Sequence, residues 1–68
     1  MAIKQISIDG AIHTVYARKV NKRSKDWQGY WLDKMGVSHG PVRVFDSDTA
    51  ALLWAELDLR DAINREKK

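Results

Sequence analysis

The hydrophobic and polar positions near the N-terminus alternate with the period of two that is typical of β-strands. Residues 3–8 (IKQISI) predict a first strand, and residues 11–20 (AIHTVYARKV) predict a second that is rich in β-branched and aromatic side chains. Between them, Asp9-Gly10 is a strong signal for a two-residue type I′ turn, because both turn positions need a positive φ angle. This part of the chain therefore predicts an antiparallel hairpin.

Two more strands are predicted after a charged loop (NKRSKD). In residues 27–35 (WQGYWLDKM), alternation places Trp27 and Trp31 on one face of a third strand. The opposite face of that strand carries Gln28, Tyr30, Leu32 and Lys34. A turn at residues 36–41 then precedes a fourth strand at residues 41–45 (PVRVF), which begins at a proline.

Residues 49–68 predict one long helix, because they contain strong helix formers and neither glycine nor proline. Any of the three preceding residues can cap its N-terminus: Asp46, Ser47 and Asp48. Two apolar stripes run along nearly opposite sides of this helix. The first stripe consists of Ala50, Leu53, Trp54 and Leu57. The second stripe consists of Leu52, Ala55, Leu59, Ala62 and Ile63.

A single sheet covers only one of these stripes, and the sequence leaves two explanations for the other. Either the helix breaks near Asp58 and its last part takes a new orientation, or the second stripe contacts a partner such as another copy of the chain. The resulting prediction is a single α+β domain over residues 1–68. It has a four-stranded antiparallel sheet with one long C-terminal helix, continuous or broken near Asp58, packed on one face.

The tryptophans are predicted to fill the core. A chain of 68 residues buries only about 60% of its unfolded surface, and this one has no cysteine for a disulfide. We expect Trp31 and Trp54 to form the contact between sheet and helix, with Phe45 beneath the first helical turn. Gly29 marks either a bulge or a close approach. If the sheet turns its other face to the helix, Trp27 and Trp31 form an exposed patch for a protein partner.

Charge is distributed unevenly along the chain, whose net charge is +3. Residues 1–45 carry eight basic and three acidic residues, a net charge of +5, and the remainder carries a net charge of −2. Five basic residues follow one another without an acid: Arg18, Lys19, Lys22, Arg23 and Lys25. Such a run is either a solvated loop or a surface that contacts phosphates. Nearby, Gln28 can bond an adenine edge, Tyr30 can stack on a base, and Lys34 shares their predicted face.

Little in the sequence predicts catalysis. His13 and His39 are the only histidines, cysteine is absent, and neither metal-ligand spacing nor a glycine-rich phosphate loop occurs. No apolar run approaches the roughly 20 residues of a membrane span, and the start MAIKQISIDG has no long apolar region like that of a signal peptide. We therefore expect no catalytic residue, metal, cofactor or membrane association, and a bacterial cytoplasmic location.

The order of these features resembles the AP2-like, arm-type DNA-binding domain of phage integrases. The resemblance covers about residues 13–63 and rests on W-x-x-x-W in a strand, Phe45, and Ala50 and Ala51 early in the helix. It implies a sheet that docks in the DNA major groove and is backed by one helix. The extra N-terminal strand departs from that family, and integrase activity is not expected because the chain carries no recombinase domain.

A second set of positions resembles a family of small phage anti-CRISPR proteins that inhibit type I-F systems. The matched residues at the strand-to-helix junction are Arg43, Phe45, Asp46, Ser47 and Trp54. Val15-Tyr16 matches a Val-Tyr pair in an earlier strand. This resemblance implies that the sheet face binds a subunit of an RNA-guided surveillance complex of the host, with Tyr16 taking part.

Together these observations predict a small non-enzymatic protein of phage or mobile-element type. The main hypothesis is nucleic-acid binding, with DNA expected ahead of RNA, through Arg18, Lys19, Lys22, Arg23, Lys25, Gln28, Tyr30 and Lys34. The alternative is a protein inhibitor that binds a host protein complex through Tyr16, Leu52, Leu59 and Ile63. A homodimer through the second helix stripe is a further alternative.

Overall fold

The computed structural model describes residues 2–66, which form a four-stranded antiparallel sheet and one helix. The strands are β1 (Ala2–Ile8), β2 (Ala11–Lys19), β3 (Trp27–Leu32) and β4 (Ser38–His39), and they neighbour one another in chain order. The helix α1 (Asp48–Glu66) packs on one face of this sheet. The α+β architecture predicted from the sequence is confirmed. Residues 67–68 of the predicted helix lie outside the described residues.

The predicted type I′ turn joins the first two strands. Asp9 has a φ angle of 53° and Gly10 one of 82°, so both turn residues take the left-handed conformation. The register pairs Ile8 with Ala11 directly across the turn. A two-residue primed turn matches the twist of the flanking strands, which explains why the sequence signal was sufficient here.

The predicted position of the fourth strand is wrong. The strand is Ser38–His39, inside the predicted turn, whereas residues 41–45 contribute only Phe45, which pairs with Trp27 through two backbone hydrogen bonds of 2.7 and 2.8 Å. The physical reason is the carboxylate of Asp33. Its Oδ1 accepts the backbone N–H groups of Met35 (2.8 Å) and Val37 (3.0 Å). These bonds turn the chain directly after β3, so the returning strand begins earlier than the proline suggests.

The helix covers the face of the sheet that carries Trp27 and Trp31, in agreement with the expected orientation. Small residues allow the two layers to approach closely. Ala17, Ala51 and Ala55 have no exposed surface, and a β-carbon at Gly29 would lie 2.1 Å from the carbonyl oxygen of Ala51. Gly29 therefore marks a close approach of the helix.

The core consists of two clusters between the sheet and the helix. One cluster contains Ile6, Val15, Ala55 and Leu59, with Trp31, Leu52 and Ile63 packed against it. The other contains Ala17, Phe45 and Ala51, with Trp27 and Ala50 packed against it. The second helix stripe is therefore the one that the sheet covers, and its predicted exposure to a partner is wrong.

The helix continues through Asp58, so the alternative of a break there is also wrong. Asp58 Oδ2 instead accepts a hydrogen bond of 2.9 Å from Trp31 Nε1, which ties the helix to β3. The predicted contact between Trp31 and Trp54 is replaced by stacking of Trp54 on Phe45, with ring centroids 6.1 Å apart. Trp54 remains 43% exposed because it lies on the first helix stripe, away from the sheet.

Ser47 is the N-cap among the three predicted candidates. Its Oγ accepts the backbone N–H of Ala50 (3.2 Å), and its carbonyl oxygen accepts that of Ala51 (3.2 Å). Asp48 in the first turn adds a negative charge where the helix dipole favours one. Across residues 2–66, no helix combines the length and apolar character needed to cross a membrane.

Candidate nucleic-acid interface

One face of the sheet is turned away from the helix and is called the open face. Strand alternation and the pairing register place these residues on it: Ile3, Gln5, Ser7, Ile12, Thr14, Tyr16, Arg18, Gln28, Tyr30, Leu32 and Ser38. The open face combines aromatic, amide and hydroxyl groups with three exposed apolar side chains and a single charged one, Arg18. Its chemistry differs from that of the helix-covered face, whose central positions are the buried Val15 and Ala17.

Two tyrosines form the centre of the open face. Tyr16 of β2 and Tyr30 of β3 are direct register partners, and their rings stack with centroids 5.0 Å apart and an interplanar angle of 15°. The guanidinium carbon of Arg18 lies 5.8 Å from the centre of the Tyr30 ring. Stacking and the cation–π contact hold the three side chains together. The arrangement presents a positive charge beside an aromatic surface.

A groove lies beside this cluster at the β3 edge of the sheet. It has a volume of about 520 Å³ and is lined by residues that include Arg18, Gln28, Tyr30, Ser38 and His39. The groove exists because β4 pairs only with Trp31 and Leu32, so the middle of β3 has no neighbouring strand on that side. The groove is therefore bordered by residues that carry guanidinium, amide and hydroxyl groups: Arg18, Gln28, Tyr30 and Ser38.

The basic loop between β2 and β3, residues 20–26, continues the positive surface. Lys22, Arg23 and Lys25 are all exposed. The loop is shaped by its own polar residues, since Asn21 Oδ1 accepts the backbone N–H of Arg23 (3.1 Å) and Ser24 Oγ accepts that of Asp26 (2.8 Å). Among the described residues, no salt bridge neutralises the three basic side chains. Their charges are therefore available to an external anion.

The acidic residues lie elsewhere in the fold. All nine acids of the chain fall within the described residues, and none is on the open face. Four lie in turns or connecting segments: Asp9, Asp26, Asp33 and Asp46. The other five lie on the helix, behind the sheet: Asp48, Glu56, Asp58, Asp61 and Glu66. The fold thus separates an acid-free sheet surface from an acidic helix.

The structure brings together six of the eight residues predicted to bind nucleic acid. Arg18, Gln28 and Tyr30 share the open face, and the basic loop adjoins the Arg18 end of β2. Lys19 is on the other face, where its Nζ lies 5.9 Å from the centre of the Trp27 ring. Lys34 lies in the turn after β3, at the end of that strand opposite the basic loop. Its predicted position on the strand face is wrong, because Asp33 ends the strand.

The residues predicted for a protein interface are divided between two surfaces. Tyr16 is on the open face, half-buried against Tyr30. Leu59 is only 4% exposed, and Leu52 and Ile63 pack against the core. The three helix residues therefore hold the helix on the sheet. An external partner would reach Tyr16 without reaching them.

Sequence reasoning missed Ser38, which lies on the open face, and His39, which lies beside Trp31 on the opposite face. His39 Nε2 lies 2.7 Å from Asp33 Oδ2, and its ring stacks on Trp31 with centroids 4.6 Å apart. The hydrogen bond to His39, followed by the backbone N–H of Val37, lowers the pKa of Asp33. The available signal was Asp33 followed three residues later by Gly36, which together predict a tight turn and a returning strand.

Within residues 2–66, no group of three or more His, Cys, Asp or Glu side chains is placed to hold a metal ion. Comparisons of the chain with protein-family models, curated proteins and solved structures gave no match. The resemblances to integrase arm domains and to anti-CRISPR proteins therefore remain predictions.

Proposed function

We propose that this protein is a non-enzymatic nucleic-acid-binding domain that uses the open face and the basic loop. The observation that supports the proposal is the separation of charge in the fold. Every acid lies off the open face, and the basic loop carries one acid, Asp26, against Lys22, Arg23 and Lys25, for which the described residues provide no salt bridge. A polyanion that approaches this surface therefore meets a net positive charge.

Phosphate contacts supply most of the affinity in this proposal. Lys22, Arg23 and Lys25 each neutralise a backbone phosphate, and Arg18 adds a fourth at the edge of the open face. Neutralisation of about four phosphates releases counterions, so the logarithm of the binding constant falls with that of salt with a slope of about −3.6 for duplex DNA. Binding of this kind is independent of sequence.

Base contacts come from the centre of the open face. The amide of Gln28 can bond both exposed atoms of an adenine edge, and Tyr30 offers its ring and hydroxyl beside the groove. A two-stranded β-ribbon can enter the major groove of duplex DNA, which is about 12 Å wide. We therefore place duplex DNA first among the ligands and RNA second.

Fluorescence anisotropy with labelled duplex DNA and single-stranded RNA, at about 50 and about 200 mM salt, tests this proposal. Arg23→Ala is expected to weaken binding to all sequences alike and to reduce the salt slope by about 1. Arg65→Ala removes the same charge from the exposed helix terminus and is the matched control, with no expected effect. Binding that does not change with salt, or equal losses in both variants, would contradict the proposal.

A protein partner on the same open face is the second candidate function. It is favoured by three exposed apolar side chains on that face, Ile3 at 60%, Ile12 at 67% and Leu32 at 46% exposure. In this alternative the protein inhibits a host complex, and Tyr16 lies at the middle of the contact. Ile12→Lys separates the two functions, because an added positive charge supports nucleic-acid binding and disrupts an apolar protein contact.

A further inference from the structure

The first helix stripe and the segment before the helix form an exposed apolar surface, the helix patch. Leu53, Trp54 and Leu57 are 49%, 43% and 45% exposed, and Val42 and Val44 are 96% and 45% exposed. A groove of about 520 Å³ crosses this surface between Pro41, Val42, Trp54 and Leu57. The helix lies on the other side of the sheet from the open face, and Pro41 and Val42 line both this groove and the one at the β3 edge.

The exposed area of the chain is large for its mass. Monomers of 7.8 kDa typically expose about 4,400 Å², whereas this chain exposes 5128 Å². The excess of about 700 Å² belongs to the whole elongated chain, 41 × 20 × 19 Å across, and the helix patch is one apolar part of it. A small chain without disulfides commonly gains its missing burial by association.

Three charged residues line the groove in the helix patch, the basic Arg43 and the acidic Asp58 and Asp61, and Asp58 already accepts the Trp31 hydrogen bond. Arg43 lies at the Trp54 end, with its guanidinium carbon 5.7 Å from the centre of that ring. Asp61 follows Trp54 by seven residues, so it lies on the same side of the helix about 10 Å further along the axis. Leu57 lies between them. Asp61 also pairs with Arg65, but its side chain stays 57% exposed.

We propose that the helix patch binds the same patch of a second copy of the chain, with the two helices antiparallel. A two-fold axis near Leu57 brings Arg43 of each copy to Asp61 of the other, so the pairing of charges is satisfied twice. A parallel arrangement places like charges together and is disfavoured. The antiparallel dimer buries the helix patch, including the Val42 side of the groove at the β3 edge, and leaves Arg18, Gln28 and Tyr30 on the other side of each sheet.

Sedimentation equilibrium over a range of concentrations tests this inference without any nucleic acid. The wild type is expected to approach twice the chain mass of 7.8 kDa. Val42→Lys changes a side chain that is 96% exposed, so it leaves the fold intact and is expected to give a monomer. Ile12→Lys, on the open face, is the matched control and is expected to dimerise normally.

Charge exchange tests the antiparallel arrangement. Arg43→Glu and Asp61→Arg each place like charges together and are expected to weaken dimerisation about tenfold or more. The double variant restores opposite charges and is expected to recover most of the affinity. A wild type that stays monomeric, a Val42→Lys dimer of normal affinity, or a double variant weaker than both single variants would overturn the inference.

Discussion

A β-carbon on Gly29 would lie 2.1 Å from the carbonyl oxygen of Ala51, far inside van der Waals contact. The backbone of β3 therefore touches the backbone of the helix at this point, with no side chain between them. The same β-carbon would lie 3.1 Å from the Ala55 side chain. Position 29 fixes the distance between the two layers of the fold.

Gly29→Ala is expected to destabilise the protein by about 1 to 3 kcal/mol or more, because the helix must move away from the sheet. The measurement is urea denaturation followed by circular dichroism. Gly36→Ala is the control, since Gly36 has a φ of 82° but no atom near its added β-carbon. It is expected to cost only the strain of a left-handed alanine, about 1 to 2 kcal/mol. A Gly29→Ala variant as stable as the wild type would contradict the close contact.

The hydrogen bond from Trp31 Nε1 to Asp58 is expected to stabilise the junction between helix and sheet. Asp58→Ala leaves the half-buried indole N–H without its acceptor, which should cost about 1 to 3 kcal/mol in the free energy of unfolding. Asp58→Asn keeps an acceptor oxygen and is expected to retain most of that stability. Equal losses in both variants would show that the carboxylate charge, rather than the hydrogen bond, is responsible.

Ser47→Ala removes the N-cap and is expected to reduce stability by about 1 kcal/mol. Ser47→Asp keeps an oxygen that can accept the Ala50 N–H and should restore it. Asp46 is exposed and precedes the cap, so Asp46→Ala is expected to change stability by less than about 0.5 kcal/mol. The free energy of unfolding of the three variants, measured by thermal or urea denaturation, separates the contribution of the Ser47 cap from that of Asp46.

The pH dependence of stability is expected to include a contribution from Glu56. Lys4 lies 3.0 Å from this carboxylate and lowers its pKa most strongly; desolvation opposes the effect, and Arg60 at 3.1 Å lowers the pKa further. The folded state therefore binds this proton less tightly than the unfolded state does. The stabilisation that Glu56 contributes is complete at pH values above its ordinary pKa of 4.5. It is lost as the pH falls through the lower pKa of the folded state.

Glu56→Gln tests this contribution. At neutral pH the variant is expected to unfold at lower urea concentration than the wild type, and the difference is expected to shrink as the pH falls below 4.5. Glu66→Gln, at the exposed end of the helix, is the control. A difference between wild type and Glu56→Gln that grows in acid would contradict the sign of the pKa change.

Local signals in the sequence were sufficient for the hairpin and the helix. Asp9-Gly10 needs a particular turn, and Ser47 needs a nearby backbone N–H, so both depend on neighbouring residues only. The fourth strand was predicted too late in the chain because Pro41 suggested a strand start, whereas the Asp33 carboxylate had already turned the chain. The position of this strand depends on two local signals, the turn at Asp33 and the proline at position 41. Their spacing in the sequence does not show which of them determines where the strand begins.

The two helix stripes show where the sequence pattern is insufficient. Both are apolar, and a hydrophobic period alone gives no preference between them. Close packing decides, because the alanines near the sheet-facing stripe, Ala51 and Ala55, let the helix backbone reach Gly29. Leu53 and Trp54 are too large for that contact and remain outside. The same limit applies to the candidate site. Lys34 was predicted on the strand face, and this position required β3 to continue past Leu32.

Mapping of amide chemical shifts on addition of a duplex DNA oligonucleotide tests the central claim most directly. We expect the changes to concentrate in the basic loop and at Arg18, Gln28 and Tyr30, with the amides of residues 50–62 in the helix unchanged. Changes concentrated in the helix, or no changes at low salt with the fold intact, would contradict the claim that the acid-free face of the sheet binds nucleic acid.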